Sequence, residues 1–205
     1  MVKMIRALTQ PADISCAVQT LQKGGLVAFP TDTVYGVGAH AFVPEAVSKL
    51  YEAKIRPPDK AIPLLISDAN LLPQVARNIP QAAYELATRF WPGALTLVLR
   101  RTPTVSDEIT AGGDTVGVRV PDHPVAQALL GALGAPLAAT SANLSGRMPA
   151  VDAEEVLAQL AGRIDLLLDG GICPGGVAST VLDLTVSPIR VLRAGPLLPA
   201  LDKWL

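Results

Sequence analysis

Short apolar runs alternate along this chain with longer segments in which apolar residues recur every three or four positions. The short runs have the length of buried strands, and the longer segments have the period of amphipathic helices. The runs predict strands at residues 4–8, 26–30, 62–66, 95–100, 115–120, 137–140, 166–169, 179–183 and 189–193. The periodic segments predict helices at residues 12–23, 44–54, 80–90, 124–133 and 153–160.

Glycine and proline mark the ends of these elements. Gly24 and Gly25 end the first helix, and Pro44, Pro80 and Pro124 stand where later helices begin, a position that tolerates proline because no N–H is needed there. Several neighbouring strands have no helix between them, which favours a mixed sheet over a purely parallel one. The pattern predicts one α/β domain over residues 1–205, with a short terminal helix at residues 198–205 that packs its tryptophan.

The segment from Phe29 to Gly38 concentrates polar chemistry at the end of a strand. Proline ends the apolar run, and hydroxyls, a carboxylate and a phenol follow within five residues, before two glycines. Open α/β sheets bind ligands at strand ends, and glycine lets the backbone approach a ligand closely. A simple turn of the serine/threonine type with a buried tyrosine explains the same residues, so this segment alone leaves both interpretations open.

A second cluster carries three cations, Lys54, Arg56 and Lys60, at the end of a helix and in the proline-rich loop that follows. A lysine at a helix C-terminus interacts favourably with the helix dipole, which accounts for Lys54. It does not account for the other two cations in a stiff Pro-Pro loop. Cations held close together in this way indicate an anion site, with phosphate as the expected ligand.

Three more polar clusters follow predicted strands or interrupt them. Residues 139–146 place Ser141 and Asn143 after an apolar run, where they form either a turn or a nucleotide contact. Residues 175–183 are a glycine turn that leads into a β-branched strand. In residues 115–121, Arg119 stands inside an otherwise apolar strand. Because burying an unpaired charge is costly, that arginine needs a partner or a route to solvent.

Composition restricts the class of protein. Half of the 205 residues are hydrophobic, and the formal net charge is −1, from 17 basic and 18 acidic residues. Nucleic-acid-binding domains are usually basic, so any RNA or tRNA contact should be local or absent. No apolar run reaches the ~20 residues that a membrane span needs. The two cysteines, Cys16 and Cys173, lack metal-site spacing, and a reduced, cytoplasmic protein without membrane association is expected.

Six motifs in order now carry a family resemblance. They read PTDTVYGVG, AKIRPPDK, RFWPGALTLVL, TVGVRVPDHP, TSANLSG and ASTVLD. Together they resemble the YrdC-type threonylcarbamoyl-AMP synthases over residues 4–195, nearly the whole chain. The resemblance implies an open, twisted mixed α/β sheet with a large concave cleft. Longer members of that family carry an additional C-terminal domain, and this chain resembles the short, single-domain form.

The resemblance also implies a reaction. Threonine and bicarbonate give a carbamate that attacks the α-phosphate of ATP, which yields threonylcarbamoyl-AMP and pyrophosphate, the first step of threonylcarbamoyladenosine synthesis on tRNA. Proteins that transfer the group to tRNA are the implied downstream partners. Mg²⁺ is expected to arrive with ATP, because the chain has no dense carboxylate cluster that would hold a metal by itself. It also has no P-loop pattern, so arginines, lysines and hydroxyls must bind the phosphates.

Residue roles follow from matching the motifs one by one. The threonine-binding residues implied are Thr33, Arg119, Ala139 and Ser179. The nucleotide-binding residues implied are Lys54, Arg56, Lys60, Thr115, Ser141, Asn143 and Arg193, with Lys54 and Arg56 also catalytic. Some longer relatives have a histidine where this chain has Leu65, so the contact of that histidine has no counterpart here. His40 and His123 are interpreted as surface or turn residues.

Two alternative functions remain open at this point. The first is a carbamoyl-adenylate-forming carbamoyltransferase module, as in hydrogenase-maturation proteins, but those are large chains with zinc-finger cysteines, whereas this one has two cysteines. The second is a YrdC-like RNA-binding protein without catalysis, which the near-neutral charge disfavours as a main role because phosphate neutralisation dominates such binding. Stabilisation of the folded state by ATP and threonine would separate an enzyme from an RNA-binding protein.

Overall fold

A computed structural model describes residues 3–6 and 11–204. The strands are β1 (Lys3–Arg6), β2 (Val27–Phe29), β3 (Gly36–His40), β4 (Leu64–Leu65), β5 (Ala76–Arg77), β6 (Leu95–Arg101), β7 (Thr115–Arg119), β8 (Leu137–Ser141), β9 (Leu166–Asp169), β10 (Thr180–Asp183) and β11 (Arg190–Arg193). The α-helices are α1 (Pro11–Gln22), α2 (Pro44–Lys54), α3 (Leu72–Val75), α4 (Gln81–Phe90), α5 (Asp107–Thr110), α6 (Pro124–Leu133) and α7 (Ala153–Leu160). Two 3₁₀ turns lie at Ala69–Leu71 and Leu198–Ala200.

All eleven of these strands belong to one mixed sheet. Its order is β1-β9-β2-β3-β8-β4-β7-β6-β10-β11, and β5 pairs with β6 outside this path. Four neighbouring pairs are parallel (β1 with β9, β9 with β2, β4 with β7 and β6 with β10), and the others are antiparallel. The predicted mixed, open α/β sheet is confirmed.

One face of the sheet is covered by helices along most of its width. Side chains of successive strand residues point to opposite faces of a sheet. The side chains on one of the two faces pack into a large apolar cluster. Members from five neighbouring strands are Leu64, Leu97, Val118, Ala138 and Leu182. Residues of α2, α3, α4, α5 and α7 belong to the same cluster, so these helices form one outer layer.

The opposite face is covered at one end only. There α1 and α6 pack on alternate residues of β2, β8 and β9, and on Leu65 of β4. No residue of β6, β7 or β10 belongs to this second cluster. On those strands the same face instead carries a cavity whose floor includes Thr96, Val98, Gly117 and Val181. The concave cleft therefore exists because the helical layer stops halfway across the sheet.

The predicted elements agree with the structure, and the differences have local causes. Each of the five predicted helices is present with its ends displaced by at most one residue. The strand predicted at 62–66 is reduced to Leu64–Leu65, since Pro63 has no N–H to donate to a ladder. Residues 7 and 8 of the first predicted strand lie outside the described residues. The predicted terminal helix is a single 3₁₀ turn, Leu198–Ala200, after which Trp204 packs against the core.

Strand β3 was not predicted, nor were the short elements β5, α3 and α5. Gly36 and Gly38 belong to the segment Phe29 to Gly38, in which the sequence predicts a ligand-binding or turn segment because glycine lets the backbone approach a ligand closely. In the sheet, Gly38 is required by close packing: a Cβ there would lie 2.7 Å from Cδ2 of Leu137 on β8. The glycines thus allow β3 to pair between β2 and β8 beneath bulky neighbours.

In the described part of the chain, no helix has both the length and the apolar character that crossing a bilayer requires.

Candidate active-site cleft

The cleft has a volume of about 490 Å³, within the range of small-molecule sites. Its lining residues are Thr31, Thr33, Val34, Tyr35, Gly36, Arg56, Ala61, Ile62, Pro63, Leu65, Thr96, Val98, Gly117, Arg119, Ala139, Thr140, Ser141, Asn143, Arg147, Pro149, Ala178, Ser179, Val181 and Arg193. Four arginines and no carboxylate are among them. Such a lining favours anionic ligands.

The turn after β2 presents hydroxyls to the cleft. The Thr31 hydroxyl accepts the N–H groups of Thr33 and Val34, at 3.1 and 3.3 Å, and donates to the Val34 carbonyl at 2.7 Å. Tyr35 is fully buried, and its hydroxyl donates to the Gly171 carbonyl at 2.8 Å. The two interpretations of this segment are therefore compatible, since a hydroxyl-capped turn with a buried tyrosine holds Thr33 at the cleft wall.

Arg119 lies at the centre of the cleft and is held by three groups. Its Nε donates to the Gly93 carbonyl at 2.9 Å, its Nη1 to the Thr33 hydroxyl at 3.1 Å, and its Nη2 to Oδ1 of Asp32 at 2.5 Å. The Arg119 and Asp32 side chains are 8% and 15% exposed. The expected partner of the buried arginine is therefore Asp32, and one N–H on each terminal nitrogen stays available for a ligand.

Ser179 and Arg193 form a second network with Thr96. The guanidinium of Arg193 donates through Nε to the Ser179 carbonyl at 2.8 Å and through Nη2 to its hydroxyl at 2.9 Å. That hydroxyl lies 2.8 Å from the hydroxyl of Thr96. Thr96 was not among the predicted site residues, although a threonine inside the apolar run of β6 was a visible signal. Ser179, which the resemblance assigns to threonine binding, therefore contacts Arg193, which it assigns to nucleotide binding.

The basic loop contributes Arg56 to the lining. Ile55 ends α2 in the left-handed region, with φ 52° and ψ 45°, and Arg56 follows it. The Arg56 guanidinium donates to the carbonyls of Lys60 and Ala61, at 3.0 and 2.8 Å. Lys60 itself is exposed, and its side chain does not line the cleft. Its carbonyl, which also accepts the Tyr51 hydroxyl at 2.9 Å, helps to orient Arg56.

Lys54 differs from the other cations because it lies beneath the cleft lining. Its side chain is buried, and Nζ donates to the carbonyls of Ser141 and Asn143. Burial lowers the pKa of Lys54 to about 7, and the charge of Arg56 acts in the same direction. Lys54 is not among the lining residues, and its amine contacts the backbone of two residues that are.

The segment after β8 brings Ser141, Asn143 and Arg147 to the cleft. The Asn143 amide donates to the carbonyls of Leu144 and Arg147, at 2.9 and 2.8 Å, while its Oδ1 is buried without a partner among the described residues. Arg147 is exposed at the cleft mouth. Arg147 is not among the residues that the sequence predicts for the site, because no pattern of residue types distinguishes it from an ordinary surface cation.

The remaining predicted residues divide into lining and non-lining positions. Ala139 and Leu65 line the cleft, whereas Thr115 lies on β7 two residues beyond the lining residue Gly117 and outside the cavity. His40 and His123 are outside the lining. Each uses Nδ1 to accept a backbone N–H at 3.2 Å, from Phe42 and Val125 respectively, so both serve as turn or cap residues.

The described residues contain no group of three or more histidine, cysteine, aspartate or glutamate side chains that could hold a metal ion. Hydroxyls, amides and guanidinium groups dominate the polar lining of the cleft. This donor set suits a polyanion.

Comparison with known sequences identifies the family. Residues 19–195 match the sequence profile of the Sua5/YciO/YrdC family, which carries the description Telomere recombination. This chain belongs to that family.

Named relatives and solved structures agree with this assignment. The chain is 44% identical over 193 residues to the threonylcarbamoyl-AMP synthase of Pyrococcus abyssi (94% of this chain, 57% of the relative) and 46% identical over 188 residues to that of Bacillus subtilis (91% and 54%). It therefore spans little more than half the length of these two relatives. A shorter relative of the same name from Vibrio campbellii is 36% identical, over 87% of this chain and 96% of its own length.

Two solved structures share the fold closely. The crystal structure of P. abyssi Sua5 complexed with L-threonine superposes with a TM-score of 0.94 at 42% identity, covering 98% of this chain and 60% of that one. The structure of Escherichia coli YciO gives a TM-score of 0.88 at 30% identity, covering all of both chains. The HypF structure, at 23% identity and a TM-score of 0.77 over 90% of this chain and 29% of that one, shows a likeness of fold alone.

Proposed function

We propose that this chain is an L-threonylcarbamoyladenylate synthase, a nucleotidyltransferase that makes threonylcarbamoyl-AMP and pyrophosphate from L-threonine, bicarbonate and ATP. The observation that carries the proposal is a cleft with four arginines, of which Arg119 alone has a carboxylate partner among the described residues. Arg56, Arg147 and Arg193 remain to neutralise a polyanion. The names of the relatives and the threonine complex of P. abyssi Sua5 support the same reaction.

The threonine end of the cleft is assigned to Thr33, Arg119, Ala139 and Ser179. Arg119 keeps one N–H on each terminal nitrogen, a pair that matches the two oxygens of a carboxylate. The hydroxyls of Thr33 and Ser179 can bind the hydroxyl of the substrate. Since Arg119 is already fixed by Asp32 and Gly93, little side-chain freedom is lost when threonine binds.

The nucleotide end is assigned to Arg56, Ser141, Asn143 and Arg193, with Lys60 and Thr115 at the margin, where a bound triphosphate would extend beyond the cavity. Guanidinium groups held by backbone carbonyls stabilise negative charge as pyrophosphate leaves, because they need no reorganisation during the reaction. Mg²⁺ bound to the triphosphate would supply further charge neutralisation. Holding the carbamate and the α-phosphate together in one cleft contributes further rate acceleration.

The same proposal covers location and partners. A cytoplasmic enzyme would pass threonylcarbamoyl-AMP to proteins that modify tRNA. A net charge of −1 makes direct RNA binding a local contact at most.

Pyrophosphate release tests the proposal. Purified protein with ATP, Mg²⁺, bicarbonate and threonine should release pyrophosphate, and omission of threonine or of bicarbonate should abolish the release. Arg56→Ala should lower turnover ~100-fold or more, because a fixed arginine on developing phosphate charge is commonly worth a few kcal/mol. Release that is equal without threonine would refute the assignment. Activity with carbamoyl phosphate in place of threonine and bicarbonate would support the carbamoyltransferase alternative instead.

Substrate selectivity tests the assignment of the threonine pocket. Arg119→Ala should raise KM for threonine roughly 30- to 150-fold, and far more than KM for ATP, because it removes a charge-assisted bidentate pair worth ~2–3 kcal/mol. Serine should be used better than valine, since valine has threonine's shape but leaves the site's hydroxyls unpaired. Steady-state kinetics with the three amino acids decides. Equal use of valine and threonine, or an effect of Arg119→Ala confined to ATP, would contradict this pocket.

A further inference from the structure

We infer that Lys54 is a positioning residue that anchors the cleft segment Ser141–Ser145 from behind, and that it does not itself contact the phosphates. Three hydrogen bonds carry this inference. Nζ of Lys54 donates to the carbonyls of Ser141 and Asn143, and the Lys54 carbonyl accepts the N–H of Ser145 at 2.9 Å. One residue at the end of α2 thus binds every second residue of the segment.

The segment needs such an anchor because it lies beyond the sheet. The ladder between β3 and β8 ends at the pair Gly36 and Ser141. One further backbone bond, from Ala142 N–H to the Tyr35 carbonyl at 2.7 Å, continues it. After that point the chain turns through Leu144 and Gly146 without strand pairing. Lys54 therefore supplies part of the support that a neighbouring strand gives elsewhere, and Gln159, whose Oε1 accepts the N–H of Leu144 at 3.1 Å, supplies another part.

The geometry also separates Lys54 from Arg56, two residues later. Arg56 lines the cleft, whereas the Lys54 side chain is 1% exposed and absent from the lining. The left-handed conformation of Ile55 lies between the two residues. If Nζ left these two carbonyls to reach a phosphate in the cavity, the Ser141 carbonyl would keep the N–H of Asn143 at 3.0 Å. The Asn143 carbonyl would lose the donor that it has here, which costs about 1–3 kcal/mol for a buried group.

The side chains and carbonyls of the segment contribute to different interactions. Ser141 and Asn143 both line the cleft, while their carbonyls bind Lys54, which does not line it. A change at Lys54 should therefore move the nucleotide-binding side chains and leave Thr33, Arg119 and Ser179 in place. No ion pair of Lys54 occurs among the described residues, and the lowered pKa of its amine agrees with a group that acts as a hydrogen-bond donor.

Hydrogen exchange in the absence of any ligand tests the inference independently of the proposed function. Lys54→Met should speed amide exchange in residues 143–147 by ~10-fold or more, since it removes the two bonds from Nζ to this segment and retains the backbone bond from Ser145. Lys49→Met is the matched control: it makes the same change on an exposed position of the same helix, where Nζ donates to the Gly24 carbonyl instead, and residues 143–147 should exchange at the wild-type rate. Lys54→Gln, which keeps an N–H donor on a shorter side chain, should lose less protection than Lys54→Met. Unchanged exchange in both Lys54 variants would overturn the inference.

A wild-type measurement covers the case in which the variants fail to fold. On titration with inorganic pyrophosphate, the side-chain nitrogen resonance of Arg56 should shift, and that of Lys54 should stay close to its ligand-free value. A large shift at Lys54 would identify a direct phosphate contact and overturn the inference. In kinetics, which depend on the proposed function, Lys54→Met should raise KM for ATP while KM for threonine changes less than threefold. Failure of the reaction itself would leave the exchange result intact, so the two claims are separable.

Discussion

The buried pair of Asp32 and Arg119 illustrates how single residues shape the cleft. The two side chains come from turns or strands 87 positions apart, and they meet at 2.5 Å. Asp32 Oδ1 also accepts the N–H of Asp122 at 2.9 Å. Asp32 therefore neutralises Arg119 and at the same time ties the chain after β7 to the turn after β2, so that charge and backbone position are set together.

Removing Asp32 should affect both stability and substrate binding. Asp32→Ala leaves a buried guanidinium without its carboxylate, which typically costs about 3–5 kcal/mol, and a value near the lower end is expected because the Asp32 side chain is 15% exposed. KM for threonine should rise because Arg119 is then held only by the Gly93 carbonyl and the Thr33 hydroxyl. Urea unfolding and steady-state kinetics measure the two effects. Asp32→Asn, which retains an acceptor for both N–H groups, should change stability and KM less than Asp32→Ala does. If the two variants had equal effects, the charge of Asp32 alone would matter.

The two histidines predict a dependence of stability on pH. His40 and His123 accept backbone N–H groups through Nδ1, and burial lowers the pKa of each. The pKa of an unfolded histidine is about 6.5. Because the folded-state pKa is lower, the unfolded chain binds more protons than the folded protein as pH falls below that value. The stabilising contribution is therefore fully present above about pH 6.5 and decreases as pH falls toward the folded-state pKa. The loss is at most about 1.4 kcal/mol per pH unit for each histidine.

Urea midpoints measured between about pH 5 and pH 7.5 would test this dependence. The double variant His40→Asn and His123→Asn is the control, since asparagine can accept the same N–H groups without titrating. The variant's stability should vary less over this range than that of the wild type. A wild-type protein that is more stable at the acidic end would contradict the assignment.

At the scale of elements, the C-terminus of α2 sets the different directions of Lys54 and Arg56. Its cap residue, Ile55, has φ 52° and is 64% exposed, although a β-branched residue in the left-handed region is strained by roughly 1–2 kcal/mol. This turn directs Lys54 inward and Arg56 toward the cleft. The backbone strain therefore lies at the one residue between the buried Lys54 and Arg56, which lines the cleft.

Replacing this cap by glycine should stabilise the fold. Ile55→Gly removes the left-handed strain and sacrifices little buried area, so after the entropy of the unfolded chain is subtracted, about 0.5–1 kcal/mol should be gained. Glu52→Gly, at an exposed interior position of the same helix, should instead cost about 1 kcal/mol. Denaturant unfolding of both variants measures the difference. A destabilising Ile55→Gly would show that the isoleucine side chain contributes packing that its exposure does not reveal.

At the scale of the whole molecule, incomplete coverage of one sheet face decides where the site lies. The cluster under α1 and α6 extends over β2, β8 and β9, and the cleft begins on the same face where that cluster ends. Ala139 and Leu65 belong to both. The apolar cluster that stabilises the fold and the cleft therefore occupy adjacent halves of the same sheet face.

A cavity in the covered half should lower stability without changing binding. Leu129 of α6 is fully buried in that cluster and does not line the cleft, so Leu129→Ala should cost about 2–5 kcal/mol. KM for ATP and for threonine should stay within about twofold of wild type at a temperature where the variant is folded. Urea unfolding combined with kinetics checks this. A change in KM without loss of stability would mean that the two halves are coupled more tightly than their packing indicates.

Much of the architecture could be predicted because it depends on local patterns. Apolar runs of strand length, helical periodicity and proline at helix starts depend on neighbouring residues, and the elements they predicted are present. Strand β3 could not be predicted in this way, because its glycines are explained by Phe29 and Leu137 on the two neighbouring strands. The short elements β5, α3 and α5 are each four residues or fewer, too short for a period to show.

The sequence by itself determined the mixed α/β class and the family motifs, because motif order and alternation are written along the chain, and eight of the 24 residues that line the cleft are among those it singled out. The tertiary structure alone decided which charges are available to a ligand. Asp32 neutralises Arg119, backbone carbonyls hold Lys54 beneath the lining, and Arg147 reaches the mouth. The physical reason is that a cation's role depends on the acceptors around it, and those acceptors come from residues distant in sequence that only folding brings together.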